Sequence, residues 1–208
     1  MSLKDQNKPI KVVAFILLTI LYSWVVGTPI IDVSAAFNGS DLKGLVSSSS
    51  LIFLSLSFAS LALDGLFPKR VKESIVHRRI KHPLPGSRAF SYFAERDSRI
   101  DFKKLDATYG PFPDDPAEQN RVFYSVYKTC ADAVAVKDAH KSYLLFRDLA
   151  FDTYILSVLA AAFTAIFGAG IAKAGLVFIC GVATALALSF IATNFASRFV
   201  CSALANAK

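Results

Sequence analysis

Histidine and cysteine are the side chains best suited to bind a metal or to exchange protons near neutral pH, and this chain has three of each. His77, His82, His140 and Cys130 make up four potential zinc ligands. None of them stands in the close i, i+4 or Cys-x-x-Cys spacing that brings two ligands to one metal, and three separated histidines are too few for a di-iron cluster. No metal or cofactor is expected. The chain also lacks a glycine-rich phosphate loop and a nucleophile elbow, and its carboxylates show no paired arrangement in a pocket, so a non-enzymatic role is expected. Cys130, Cys180 and Cys201 are scattered and read as free thiols that pack as small apolar groups.

Two other patterns carry physical chemistry. Lys69, Arg70, Lys72, Arg78, Arg79 and Lys81 crowd into one short stretch, Lys69–His82, in which Val71, Ile75, Val76 and Ile80 recur at near-helical spacing. A basic amphipathic helix of this kind suits an anionic lipid leaflet, each charge contributing ~1 kcal/mol near the surface, or a protein partner. Nucleic-acid binding is not expected, because the net charge of +7 is explained by the topology below. Small residues also recur four apart, at Thr164, Gly168 and Ala172 and again at Gly181, Ala185, Ser189, Thr193 and Ser197. Such stripes let apolar helices approach closely, either within one chain or between copies in a homo-oligomer.

The elements that must position these groups are clear from hydropathy. Four uncharged apolar stretches, Val12–Ile31, Leu45–Leu63, Thr153–Ala172 and Ala174–Ser197, hold 20, 19, 20 and 24 residues. A bilayer core ~30 Å thick needs roughly 20 apolar helical residues to cross it. The expected fold is therefore an all-α membrane protein with four transmembrane helices: an N-terminal hairpin (residues 1–64), a helical cytoplasmic domain (65–152) inserted between spans 2 and 3, and a C-terminal hairpin (153–208). The inserted segment holds 16 of the 23 Lys and Arg residues and 12 of the 16 acids. With the N-terminal lysines and the C-terminal end it places 21 basic residues on one side, against Lys43 and Lys173 on the other. Basic residues stay in the cytoplasm, so both termini and the central domain are expected on the cytoplasmic face of a bacterial inner membrane. Lys4, Lys8 and Lys11 ahead of the first run, with Val33-Ser-Ala35 behind it, also fit a secretory signal. The run is longer than a signal core of ~7–15 residues and ends in Pro29, which favours an uncleaved span.

Within the central segment, Pro83-Leu-Pro-Gly-Ser-Arg88 must break the basic helix. Ser98-Arg-Ile-Asp101 has capping-box spacing for a short helix that Gly110 stops. Asp115-Pro-Ala-Glu118 opens another, burying Val122, Phe123, Val126, Tyr127 and Cys130. From Ala131 to Phe167 there is neither proline nor glycine, so one long helix is expected to run from the domain into the third span. Asn194 is the only strongly polar residue well inside a span. Charges at bilayer depth, the usual mark of ion-coupled transport, are missing from the four stretches.

This layout of four spans with a helical cytoplasmic insertion resembles the small membrane subunits of bacterial phage-defence systems, such as that of the Kiwa system. The resemblance implies an oligomeric inner-membrane protein that senses membrane disturbance and works with a cytoplasmic partner. From the residues, the expected function is a non-enzymatic membrane protein whose cytoplasmic domain binds a partner and couples it to the spans. The alternative is a pore lined by the serines of the second span, Ser47–Ser50, Ser55, Ser57 and Ser60, or by the small stripe of the fourth.

Overall fold

The architecture is that of a computed structural model, which describes residues 3–26, 55–59, 61–63, 65–167 and 170–207. Val33-Ser-Ala35, Lys43, Ser47–Ser50, Ser60 and Gly168 lie outside the described residues. Among the described residues the chain is all-helical, without a strand. The principal helices are α1 (Leu3–Val26), α2 (Lys69–Val76), α3 (Phe102–Tyr109), α4 (Pro116–Cys130), α5 (Val134–Ile166) and α6 (Ile171–Ala205). Two of them, α5 and α6, are long and apolar enough to cross a membrane.

The chain divides into two compact units. The first holds α1, the helical residues 55–59 and 61–63, residues 148–166 of α5 and residues 171–187 of α6. Several of its polar groups face inward. Thr19 Oγ1 and Ser57 Oγ are 2.6 Å apart, Tyr22 Oη and Ser157 Oγ 3.1 Å, and Lys11 Nζ lies 2.7 Å from Oδ2 of the wholly buried Asp152. Thr153, Ser157 and Thr164 each donate to the carbonyl four residues earlier. This is how hydroxyls are satisfied in a helix without water. Ser57, one of the serines of the alternative pore reading, is buried in its bond to Thr19. α6 approaches so closely at Gly181 that a Cβ there would collide with Ser157 and the Tyr22 hydroxyl. The outward positions are large and apolar: Val13, Leu17, Trp24 and Ile179 are 57–73% exposed.

The second unit holds α2, the turns that follow it, α3, α4, residues 134–147 of α5 and residues 188–205 of α6. Asp115 caps α4 by accepting the Glu118 N–H, with Pro116 in the first turn, as the sequence predicts. Phe123, Val126 and Cys130 are buried on its inner face, while Val122 and Tyr127 are half-buried. α3 is capped not by Ser98 but by Asp101, whose carboxylate accepts the Lys104 N–H at 3.1 Å, and Gly110 ends the helix. A carboxylate accepts that bond more strongly than a hydroxyl would, so the start moves three residues on. Between Pro85 and Arg96 the chain makes short 3-10 and π turns, burying Phe90 and Phe93.

Two further expectations are corrected. The long helix starts at Val134 and not at Ala131, because α4 ends at Cys130 and residues 131–133 form a turn. That turn lets the Tyr127 hydroxyl reach His140 Nδ1 at 3.0 Å, a tertiary contact that overrides the helix propensity of Ala131 and Ala133. The basic helix stops at Val76 and does not reach His82. Arg78 takes a positive φ of 52°, a conformation no α-helix can continue through.

Candidate functional site

The buried chemistry of the second unit is gathered where α2 meets α5 and α6. Only one face of α2 can reach α5, and that face carries Glu73. Glu73 Oε1 accepts from Arg147 Nη1 at 3.0 Å, and Oε2 accepts from the Tyr143 hydroxyl. His77, one turn on from Glu73, places Nε2 3.2 Å from both Glu73 Oε2 and Tyr143 Oη, and Nδ1 3.3 Å from Thr193 Oγ1 on α6. The Glu73 and Arg147 side chains are 0% and 1% exposed.

Burial by itself would raise the pKa of Glu73. The His77 hydrogen bond, the Arg147 charge and the Tyr143 hydroxyl outweigh that effect, and the carboxyl is held below its ordinary value of 4.5. Polar pairing, not apolar periodicity, has set the rotation of α2. The helix buries Lys72 and Glu73 beside Val76 and leaves Val71 and Ile75 exposed.

A cavity of about 120 Å³ opens beside this cluster. Phe199 of α6 is its aromatic hub, with ring centroids 4.4 Å from His140, 5.2 Å from Tyr127 and 5.7 Å from Phe123. Tyr143 and Glu73 form part of the wall, and Lys69, Asn120 and Tyr124 also line it. On the turn after α2, Gly86 lies so close to α4 that a Cβ would meet Phe123 and Asn120 within 2.6 Å.

Of the basic residues singled out in the sequence, Lys69, Arg70, Arg78, Arg79 and Lys81 are exposed, and Lys72 is buried. The Arg78 guanidinium lies 4.6 Å from the centre of the Phe190 ring. In the small-residue stripe, Gly181, Ala185 and Ser189 are buried within the chain; Thr193 and Ser197 are half-buried, Thr193 being the partner of His77. His82 takes a positive φ of 49° and is exposed. Among the described residues, no group of three or more His, Cys, Asp or Glu converges as a metal site. The Cys130 thiol is buried, which pushes its pKa up, and it donates to the Ala203 carbonyl at 3.3 Å.

Sequence reasoning missed the Glu73–His77–Tyr143–Arg147 cluster. The available signal was a pair of i, i+4 spacings, Glu73 to His77 and Tyr143 to Arg147, each able to present two polar groups on one helical face.

The fold defines an all-helical protein with two helices capable of crossing a membrane and a separate polar cluster flanked by aromatic rings. No known protein family matches the chain, and neither a curated protein nor a solved structure matches it.

Proposed function

We propose that this is a four-span protein of the bacterial inner membrane, without catalytic activity, whose cytoplasmic domain docks a protein partner and passes changes in it to the spans. The observation that carries this reading is the inverted polarity of the first unit. Lys11, Thr19, Ser57, Asp152 and Ser157 turn inward while Val13, Leu17, Trp24 and Ile179 turn out. A water-soluble domain buries its large aliphatic and aromatic residues and exposes its charges. Only 28% of the most apolar 18-residue stretch of α6 is buried within the chain, where the core helix of a soluble protein would be mostly covered. Hydrocarbon is the solvent that suits such an exterior.

The continuous course of α5 from Val134 to Ile166 supports coupling between domain and span. Exposed Lys69, Arg70, Arg79 and Lys81, interleaved with exposed Val71, Ile75 and Ile80, suit an anionic inner leaflet; the buried Lys72 drops out of that surface. The resemblance to phage-defence membrane subunits points the same way and adds homo-oligomerisation and a defence role. Alkaline carbonate extraction of membranes tests insertion: the protein stays in the pellet, and its release into the supernatant would overturn the reading. Copurification after gentle solubilisation tests the rest. Recovery of a lone monomer across several detergents would remove both the partner and the oligomer.

A further inference from the structure

Three arginines of the second unit, Arg99, Arg121 and Arg147, each meet a carboxylate, at 2.6, 3.6 and 3.0 Å. Arg88 does not. It is half-buried on the short turns after α2, and its Nε is buried without a hydrogen-bond partner among the described residues. Burial, and then the repelling charge of a second arginine, Arg79, push its pKa below the ordinary 12.5, and no acid is among the groups that act on it. A guanidinium stays charged all the same.

What Arg88 does touch is aromatic. Its Cζ lies 5.4 Å from the centre of the Tyr92 ring and 5.5 Å from that of Phe93, and Arg96 comes within 3.9 Å of the same Tyr92 ring. Ring faces attract a cation, but they do not supply the directed acceptors that a guanidinium fork is shaped to meet. An acceptor is still missing. The side chain is also held in place before any ligand arrives. The turns Pro85–Arg88, Ala89–Phe93 and Ala94–Arg96 bury Ala89, Phe90, Phe93 and Ala94, and Gly86 sits against Phe123 and Asn120 with no room for a Cβ. A cation fixed in this way loses little freedom on binding.

Two guanidiniums that repel each other are stabilised together by one anion. Phosphate suits them better than carboxylate, because near neutral pH a phosphate monoester carries about −1.5 to −2 of charge and three acceptor oxygens, enough for two forks. Oxygens that take the outer Nη hydrogens offset the whole delocalised cation, its buried Nε edge included. We propose that Arg88, with Arg79 beside it, binds a phosphate group, borne by a lipid headgroup or by a free phosphate. The site stands whether or not the chain crosses a membrane, since all of it belongs to the second unit.

The full chain in a maltoside detergent, which brings no phosphate of its own, is titrated with inorganic phosphate, dioctanoyl phosphatidic acid, acetate and octanoate. Calorimetry and phosphorus NMR read binding. At least one phosphate probe should saturate at one to one and bind about tenfold tighter than either carboxylate, the scale of one further charge-assisted hydrogen bond. Saturation by inorganic phosphate assigns a free ligand, and saturation by phosphatidic acid alone assigns the headgroup.

Arg88→Gln should weaken the bound probe about tenfold or more. Arg79→Gln should weaken it less, and Arg88→Lys, which keeps the charge and loses the fork, should not reach the parent affinity. Lys137→Gln removes the same charge from an exposed site on α5 and should leave binding unchanged. Circular dichroism checks that the variants fold; if Arg88→Gln does not, Arg88→Lys and Arg79→Gln carry the same reading. Lack of saturation by both phosphate probes up to about 10 mM would overturn the proposal. So would carboxylates that bind as tightly, parent affinity in Arg88→Gln, or an equal loss in Lys137→Gln.

Discussion

Replacing Arg147 with methionine removes the cation that faces Glu73 in a site where the two side chains are 1% and 0% exposed. The carboxylate would keep its bonds from Tyr143 and His77 but lose the Nη1–Oε1 contact at 3.0 Å. Breaking one side of a buried pair typically costs ~3–5 kcal/mol, because the remaining charge is left uncompensated in a poorly solvating environment. For a chain of this length each kcal/mol lowers the melting temperature by about 2–4 °C, so Arg147→Met should melt roughly 6–20 °C below the parent protein. Glu73→Gln should fall in the same range by the same reasoning, leaving Arg147 without its partner carboxylate. The double variant removes both charges at once and should recover at least half of either loss, since a buried pair replaced as a unit is often close to neutral. Thermal unfolding followed by circular dichroism in one detergent at pH 7 would read all four proteins. Single-variant losses under about 1 kcal/mol, or a double variant whose loss equals the sum of the singles, would refute the view that this pair organises the second unit.

Acidification gives a second reading of the same carboxylate. The pKa of Glu73 is lowered on folding, so its contribution is complete above the ordinary value of 4.5 and is lost as pH falls through the depressed folded value; Glu73→Gln should lose that acid-dependent component of the melting curve. In the first unit, Gly181→Val should destabilise by about 1–3 kcal/mol, because the new side chain would overlap Ser157 and Tyr22; unfolding in detergent checks this, and an unchanged midpoint would contradict the close approach. Hydrogen exchange on the protein in nanodiscs should show residues 69–81 more protected with anionic than with zwitterionic lipid. The difference should shrink in high salt and after Lys69, Arg70, Arg79 and Lys81 are changed to Gln, whereas equal protection in both lipids would assign that surface to another partner.

Helix content and two of the long apolar helices were legible from periodicity and run length, as were the Asp115–Pro116 start and the Gly110 stop, since each rests on local chemistry. The end of α2 was not, because nothing local in Lys69–His82 forbids a helix; the positive φ at Arg78 follows from where the chain must go next. The burial of Glu73 was not legible either, because its partners lie 70 and 74 residues away, at Tyr143 and Arg147, where no windowed reading can see them. The aromatic cavity was legible only as an excess of rings in the central segment; its hub, Phe199, lies in what reads as the trailing end of a membrane helix.

His77 illustrates how such distant pairings acquire direction. Thr193 gives its only hydroxyl hydrogen to the Ser189 carbonyl at 2.9 Å, and Tyr143 gives its own to Glu73. The imidazole stands among them, with Nε2 toward Glu73 and Tyr143 and Nδ1 toward Thr193. It acts as a two-headed strut, reaching from α2 to α5 on one side and to α6 on the other. Glutamine or asparagine at this position would hold one helix and release the other, and a phenylalanine of similar shape would release both.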